Sequence, residues 1–144
     1  MRAFIFVQVE TDAGITGWGE VTTYPGPVAN RAVAAYIDQI GDWLKGENPA
    51  NIEALWHKLF RGMTYVGTRG ATTAAISAID IALWDIAGKF YQAPIYELLG
   101  GHRRPLKCYA STTHGDLNGG LSSPQAYADY AEQCLAMGYP AFKI

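Results

Sequence analysis

The longest run of helical periodicity in the chain extends from Ala71 to Phe90. Its apolar residues recur at spacings of three and four, which places them on one stripe of a helix. They are Ile76, Ile79, Leu83, Ile86, Ala87 and Phe90. Alanines at the intervening positions would let other elements approach the helix backbone closely. We therefore predict a helix at the centre of a domain, against which the other elements pack.

Three charged residues interrupt this apolar helix. Asp85 and Lys89 are four residues apart in the favourable acid-then-base order, and we expect them to mark its solvated side. Asp80 lies one turn from Ile76 and Leu83, which predicts partial burial and the need for a partner. A structural role for Asp80 is favoured over a functional one, since buried acids are usually paired for packing reasons.

Alternating apolar and polar residues at the start of the chain predict an antiparallel hairpin. Residues 3–10 and 15–21 both read as strands, and the turn between them calls for a left-handed conformation at Gly14. Gly17 and Gly19 would weaken a strand interior. Their presence therefore indicates a bulge or the close approach of another backbone.

Two further helices are predicted ahead of the central one, at Val28–Lys45 and Pro49–Gly62. The glycine-rich segment Thr64–Gly70 leads into the central helix. It does not end in Gly-Lys-Ser/Thr, so it is not a P-loop, and nucleotide binding is a weak interpretation.

The pattern changes in the last third of the chain. It predicts a strand at 106–112, a helix at 124–137 and a strand at 140–144, which together imply two parallel strands joined by a right-handed crossover. One helix cannot cover both faces of a parallel sheet. We therefore expect a complete domain at residues 1–101 and the truncated start of an α/β domain at residues 102–144.

The composition narrows the class of protein. The chain has 144 residues, of which 49% are hydrophobic, and a formal net charge of -2, which argues against binding to nucleic acid or to an anionic membrane. The first residues alternate like a strand and not like a signal peptide, so we expect a cytoplasmic protein. Cys108 and Cys134 lack the spacing of a metal site or a disulfide framework, and we interpret both as buried small hydrophobic residues.

Several of these segments together resemble the enolase superfamily, and within it the mandelate racemase and muconate lactonizing enzyme branch. The resemblance rests on the sequence Gly-Trp-Gly-Glu at 17–20 and on the segments Ala78–Lys89, Pro94–Gly101 and Ala141–Ile144. It implies an α+β capping domain, a hairpin followed by a helical bundle, which leads into the start of a modified TIM (β/α) barrel. Members usually have a further strand ahead of the hairpin, and this chain begins without it.

The resemblance also implies a chemistry, in which a proton next to a carboxylate is abstracted to give an enediolate held by Mg²⁺. Because such a proton is only weakly acidic, the reaction requires a divalent cation and a tuned base. In the family, carboxylates at the ends of the third, fourth and fifth barrel strands hold the metal. Those strands are not in this sequence, so no metal ligand is assigned to the chain, and Asp12, Asp80 and Asp116 are not proposed as ligands.

Five residues are predicted to belong to the site. By the resemblance, Lys143 matches the first lysine of a Lys-x-Lys motif at the end of the second barrel strand, where it would polarise the substrate carboxylate. The alternative for Lys143 is a frayed terminal lysine. Thr113 and His114 follow the first barrel strand, and Thr23 and Tyr24 lie in the cap loop that closes over the barrel mouth in the family. Both segments are expected to contact substrate, although His114 could equally be a solvated loop residue.

The predicted function is part of a Mg²⁺-dependent enzyme that acts on a small carboxylate or sugar acid, with acid-sugar dehydration as the leading reaction. Racemisation or epimerisation and cycloisomerisation use the same intermediate and stay open. A different class of function is an inert cap fragment or interaction module without catalysis. We expect a homo-oligomer, and packing or subunit contacts for Arg61, Tyr65 and Arg69.

Overall fold

The computed structural model describes residues 4–22, 27–112 and 120–144. The chain divides into two compact units, Met1–His102 and Arg103–Ile144. We call them the first unit and the second unit.

The first unit begins with the predicted antiparallel hairpin, in which β1 (Ile5–Glu10) pairs with β2 (Thr16–Val21). Thr11 closes the turn, because its backbone N–H donates to the carbonyl of Ile15 at 3.1 Å and its hydroxyl accepts from the N–H of Ile15 at 3.0 Å. Gly14 has a φ of 76°, which confirms the left-handed conformation predicted for it.

Among the described residues of the first unit, four α-helices follow the hairpin. They are α1 (Pro27–Gly41), α2 (Ile52–Gly62), α3 (Ala71–Tyr91) and the single turn α4 (Ile95–Leu98). The central helix α3 has the predicted extent to within one residue. The predicted first helix gives way to a 3₁₀ turn at Asp42–Leu44, and α2 begins later than predicted.

Apolar residues from the hairpin and the helices form the core of the first unit around α3. The buried members of this core are Val7, Val33, Ile40, Ile52, Leu55, Leu59, Met63, Ala75, Ile76, Ala78, Ile79, Leu83 and Ile86. Most of the predicted apolar stripe of α3 is therefore buried. Phe90 is the exception, since it is 64% exposed, and the stripe ends one turn earlier than predicted.

Strand β2 lies directly on α3 at its two glycines. A Cβ atom at Gly17 would stand 2.1 Å from the carbonyl oxygen of Ala82, and one at Gly19 would stand 1.9 Å from the carbonyl oxygen of Ala78. Both distances are far below van der Waals contact, so only glycine permits this approach. The predicted close approach of another backbone is confirmed, and that backbone belongs to the central helix.

Two charged residues of α3 hold β2 in place. The carboxylate of Asp85 accepts hydrogen bonds from the backbone N–H of Trp18 at 2.8 Å and from the ammonium of Lys89 at 2.6 Å. The same ammonium donates to the carbonyl of Thr16 at 2.7 Å. Lys89 is exposed and Asp85 is partly exposed, so the pair marks the solvated side of the helix as predicted. Both residues also connect the helix to the strand, which the spacing alone did not predict.

The environment of Asp85 also changes its pKa. Burial by itself raises the pKa, but the hydrogen bonds from Lys89 and Trp18 and the charge of Lys89 outweigh burial, so the pKa of Asp85 lies below its ordinary value. The ionised carboxylate is therefore the form that the folded state favours.

We expect Asp85→Asn to lower the free energy of unfolding by about 1–2 kcal/mol at pH 7, the lower part of the range for hydrogen bonds to charged groups, since the pair is partly exposed. The pKa of Asp85 is lower in the folded state than its ordinary value of 3.8. The ionised carboxylate therefore contributes its full stabilisation at pH values above 3.8, and this contribution is lost as the pH falls through the pKa of the folded state. Urea denaturation of both forms at pH 7 and in acid should show a difference that shrinks in acid. An unchanged difference would contradict the ion-pair explanation.

Asp80 is partly buried on α3, as predicted, and burial raises its pKa. It forms no hydrogen bond or ion pair with any described residue, so the partner expected for it is not found in this part of the chain.

By length and composition alone, α3 is a candidate for crossing a membrane. Half of the residues in its most apolar window are buried inside the fold (50%), and they belong to the core of the first unit. We therefore interpret α3 as the core helix of a globular unit.

The second unit has the predicted order of strand, helix and strand. Strand β3 (Ala110–Ser111) pairs in parallel with β4 (Phe142–Lys143), and α5 (Pro124–Ala136) lies between them in the chain. Both strands are shorter than predicted. Ser123 caps α5, since its hydroxyl accepts a hydrogen bond from the N–H of Ala126 at 3.2 Å.

The two cysteines of the second unit differ in burial. Cys134 on α5 is 2% exposed, as predicted, whereas Cys108 is exposed, which corrects the prediction that both are buried. Among the described residues of the second unit, Cys134 is also the one buried hydrophobic side chain. The β–α–β arrangement therefore holds little core of its own.

Candidate functional site

The ends of β3 and β4 bring two polar side chains together. In the parallel register Ala110 is paired with Phe142, and Ser111 is paired with Lys143. The N–H of Thr112 donates to the carbonyl of Lys143 at 3.3 Å and continues the ladder beyond the paired residues. Ser111 and Lys143 are therefore neighbours at the carboxyl ends of both strands, the edge at which (β/α) barrels build their active sites.

The two faces of this strand pair differ in chemistry. Phe142 packs edge-on against Tyr130 of α5, with ring centroids 5.9 Å apart, and Phe142 and Ile144 line an apolar groove of about 800 Å³ beside α5. Because side chains alternate along a strand, Lys143 points to the opposite face. Ser111, its partner in the register, lies on that same face.

Lys143 also has an aromatic partner on this face. Its Nζ lies 5.9 Å from the centroid of the Tyr109 ring, within the range of a cation–π contact. Both side chains are exposed to solvent, and Lys143 forms no ion pair with any residue that the structure describes. The face opposite α5 therefore presents an accessible ammonium group, and Ser111 occupies the paired position on the same face.

One of the five predicted site residues lies in the described part of the chain. Lys143 stands at the end of β4, where the motif expects it, and its role in catalysis stays a prediction. Thr23, Tyr24, Thr113 and His114 lie outside the described residues, so their predicted contacts with substrate stay predictions as well.

Tyr109, which contacts Lys143, is not among the predicted site residues, although the sequence holds a partial signal for this contact. The two-residue period of the predicted strand at 106–112 places Tyr109 and Ser111 on one face. That period does not tell which residue of the second strand they meet. The contact with Lys143 follows only from the parallel register of β3 and β4.

The described residues do not form a metal centre. No group of three or more His, Cys, Asp or Glu side chains that could hold a metal ion occurs among the residues at 4–22, 27–112 and 120–144. The described site side chains are a lysine, a serine and a tyrosine, which do not fit Mg²⁺, since that ion prefers carboxylate oxygen ligands.

Comparison with known proteins identifies relatives over the full chain. Residues 1–100 match the family described as mandelate racemase / muconate lactonizing enzyme, N-terminal domain. The chain is 40% identical over 144 residues to D-galactarolactone cycloisomerase from Agrobacterium fabrum. This alignment covers 99% of the chain and 36% of the relative. The chain is also 40% identical over 145 residues to D-galactonate dehydratase from Xanthomonas euvesicatoria. This alignment covers 98% of the chain and 34% of the relative. The chain thus spans about a third of the length of these curated relatives.

Solved structures agree with these relatives. A member of the enolase superfamily from Salmonella Typhimurium superposes with a TM-score of 0.86 at 35% identity, over 98% of this chain and 37% of that protein. A racemase from Streptomyces coelicolor with bound magnesium superposes with a TM-score of 0.83 at 32% identity, over 96% of this chain and 40% of that protein. The predicted α+β fold of the first unit, with a small parallel pair after it, is confirmed.

Proposed function

Because this chain belongs to the mandelate racemase/muconate lactonizing enzyme family of the enolase superfamily, we propose that it is the N-terminal part of an enzyme that abstracts a proton next to a carboxylate. The leading reaction is the dehydration of a sugar acid. The enzyme would depend on Mg²⁺, as the magnesium bound to the Streptomyces coelicolor racemase suggests. Ligands for that ion would come from outside the described residues. When bound, a divalent cation supplies positive charge to the developing enediolate.

The position of Lys143 carries this proposal. Lys143 is paired with Ser111 at the carboxyl ends of two parallel strands, and its side chain lies on the face opposite α5. An ammonium that donates to a substrate carboxylate stabilises the negative charge that builds up there when the α-proton leaves. The proton becomes more acidic as a result, and this is the role that we propose for Lys143.

Dehydration is placed first because D-galactonate dehydratase is a relative at 40% identity over almost the whole chain. Abstraction of the α-proton followed by loss of the β-hydroxyl as water leaves an enol, which becomes a 2-keto acid. Cycloisomerisation is the second candidate, because the D-galactarolactone cycloisomerase is as similar to this chain as the dehydratase. Both reactions begin with the same proton abstraction, so the proposed role of Lys143 holds for either.

Screening the complete protein against a library of sugar acids and their lactones, with Mg²⁺, tests this proposal. D-Galactonate and D-galactarolactone should be included, because the relatives are named for them. Dehydration removes one water from the substrate, whereas cycloisomerisation leaves its mass unchanged, so mass spectrometry separates the two reactions. Turnover of no acid or lactone in the library would overturn the proposal.

The 144-residue chain by itself is expected to turn over no sugar acid, because no cluster of metal-binding side chains occurs among its described residues. The measurement is an assay of the purified chain with Mg²⁺ under the conditions used for the complete protein. The complete protein serves as the positive control. Turnover by the 144-residue chain would show that its catalytic groups lie within these residues.

A cytoplasmic location and a homo-oligomeric state remain predictions from the sequence. Neither is needed for the proposed chemistry.

A further inference from the structure

We propose that Tyr109 is a positioning residue for Lys143 and that it acts through the face of its aromatic ring. This inference rests on the proposed function, because it gives Lys143 the role of binding a substrate carboxylate. The observation behind it is the distance of 5.9 Å between Nζ of Lys143 and the centroid of the Tyr109 ring.

The backbone of the second unit produces this contact. Lys143 is paired with Ser111, and Tyr109 lies two residues before Ser111 on the same face. The hydrogen bonds from the N–H of Ala110 to the carbonyl of Ala141 at 3.0 Å and from Thr112 to Lys143 hold this register. The ring therefore meets the lysine diagonally across the strand pair, and a shift of register would separate them.

An aromatic ring suits a lysine that must bind an anionic substrate. The ring attracts the ammonium through its quadrupole and carries no formal negative charge. A carboxylate partner would instead compete with the substrate carboxylate for the same ammonium. Lys143 forms no ion pair with any described residue, so the ring restrains it while its charge stays available.

Restraint matters because lysine has a long side chain with many rotamers. An unrestrained lysine loses conformational entropy when it binds substrate, and a lysine already held over a ring loses less. The gain applies to the substrate and to the transition state alike. Loss of the ring is therefore expected to raise KM and to leave kcat unchanged.

The test compares Tyr109→Leu with Tyr109→Phe in the complete protein. The leucine variant is expected to raise KM for the acid substrate about two- to fivefold, the ratio that corresponds to a cation–π contact at an exposed site. The phenylalanine variant keeps the ring and should restore the wild-type KM. A phenylalanine variant as impaired as the leucine variant would overturn the proposal, and so would a leucine variant with an unchanged KM.

Tyr139→Leu is the matched control, because Tyr139 is an exposed tyrosine of the second unit and the cation–π contact of Lys143 is with Tyr109. It should leave KM and kcat at their wild-type values. If it raises KM as much as Tyr109→Leu does, the effect comes from disturbing the second unit, and the positioning role is refuted.

A second measurement does not depend on catalysis. A ring current from Tyr109 should shift the ε-methylene protons of Lys143 upfield in the NMR spectrum of the complete protein, with the signal assigned by its loss in Lys143→Arg. The shift should persist in Tyr109→Phe and disappear in Tyr109→Leu. If the complete protein turns over no acid, the proposed function fails, while this shift still decides whether the ring holds Lys143. Absence of the shift in the wild-type complete protein would overturn the contact itself.

Discussion

Replacing Gly19 with alanine is expected to destabilise the first unit by about 3 kcal/mol, the upper part of the usual range for overpacking. The new Cβ would stand 1.9 Å from the carbonyl oxygen of Ala78, which is backbone and cannot turn aside as a side chain could. Strand β2 would have to move away from α3. That movement would also strain the hydrogen bonds that Asp85 and Lys89 make to the strand. Urea denaturation of the 144-residue chain measures the loss.

Gly41→Ala is the matched control for this prediction. Gly41 lies at the end of α1 with a φ of -58°, and a Cβ there would meet nothing within 4 Å. Alanine should be neutral or should stabilise the fold by up to about 1 kcal/mol, since glycine is a poor helix former. The same chemical change is thus expected to have opposite effects at the two positions. Equal effects at Gly19 and Gly41 would show that β2 does not lie on the helix backbone.

A second substitution distinguishes the backbone contact from ordinary side-chain crowding. Ala78→Gly removes the methyl group of Ala78 but keeps its carbonyl. Combined with Gly19→Ala, it should therefore fail to restore stability. A full rescue would mean that the methyl group, and not the carbonyl oxygen, limits the approach of β2.

The packing around α3 was predictable because burial leaves a period in the sequence. Apolar residues at helical spacing give the bounds of α3, and two glycines inside a strand indicate where another backbone comes close. The role of Asp85 and Lys89 was not predictable in the same way. Their spacing is that of a solvated ion pair, and the hydrogen bonds to Trp18 and Thr16 join parts of the chain that are far apart in sequence.

Two residues near the ends of predicted elements are exposed although the sequence predicted their burial, because burial there also depends on distant parts of the chain. Phe90 continues the helical period of α3, but no element of the described part of the chain buries it, so its side chain is exposed. Cys108 stands in a predicted strand that pairs only at Ala110–Ser111, which leaves the cysteine in solvent. A periodic pattern predicts which side of a helix or strand is apolar. How far that side is buried or paired depends on the elements that pack against it, and the local pattern does not show them.

The site shows the same division between local and long-range information. Lys143 was predicted from a motif that resembles one in a known family, and this required no contact information. The juxtaposition of Lys143 with Ser111 and Tyr109 required the parallel register of β3 and β4. Alternation within each strand gives the two faces, but only the pairing of the strands assigns partners across them.

Lys143→Met in the complete protein is expected to lower kcat about 10²–10³-fold, the loss typical of removing one group that stabilises developing negative charge. Methionine keeps most of the length and apolar volume of the side chain and removes its charge. The loss should appear in kcat as well as in kcat/KM, because the ammonium interacts most strongly when the carboxylate gains charge in the transition state. Steady-state kinetics with the substrate found in the screen provides the measurement.

Lys107→Met is the matched control, because Lys107 is an exposed lysine of the second unit that makes no hydrogen bond or ion pair with any described residue. It should retain wild-type kinetics and thereby exclude a general effect of charge removal.

Lys143→Arg should recover only part of the activity, since the planar guanidinium keeps the charge but not the compact shape of the ammonium. If Lys143→Met is as active as Lys107→Met, the ammonium at the end of β4 does not polarise the substrate. The proposed site would then have to be sought on another face of the strand pair, whereas the packing of β2 on α3 would be unaffected, because it rests on contacts within the first unit.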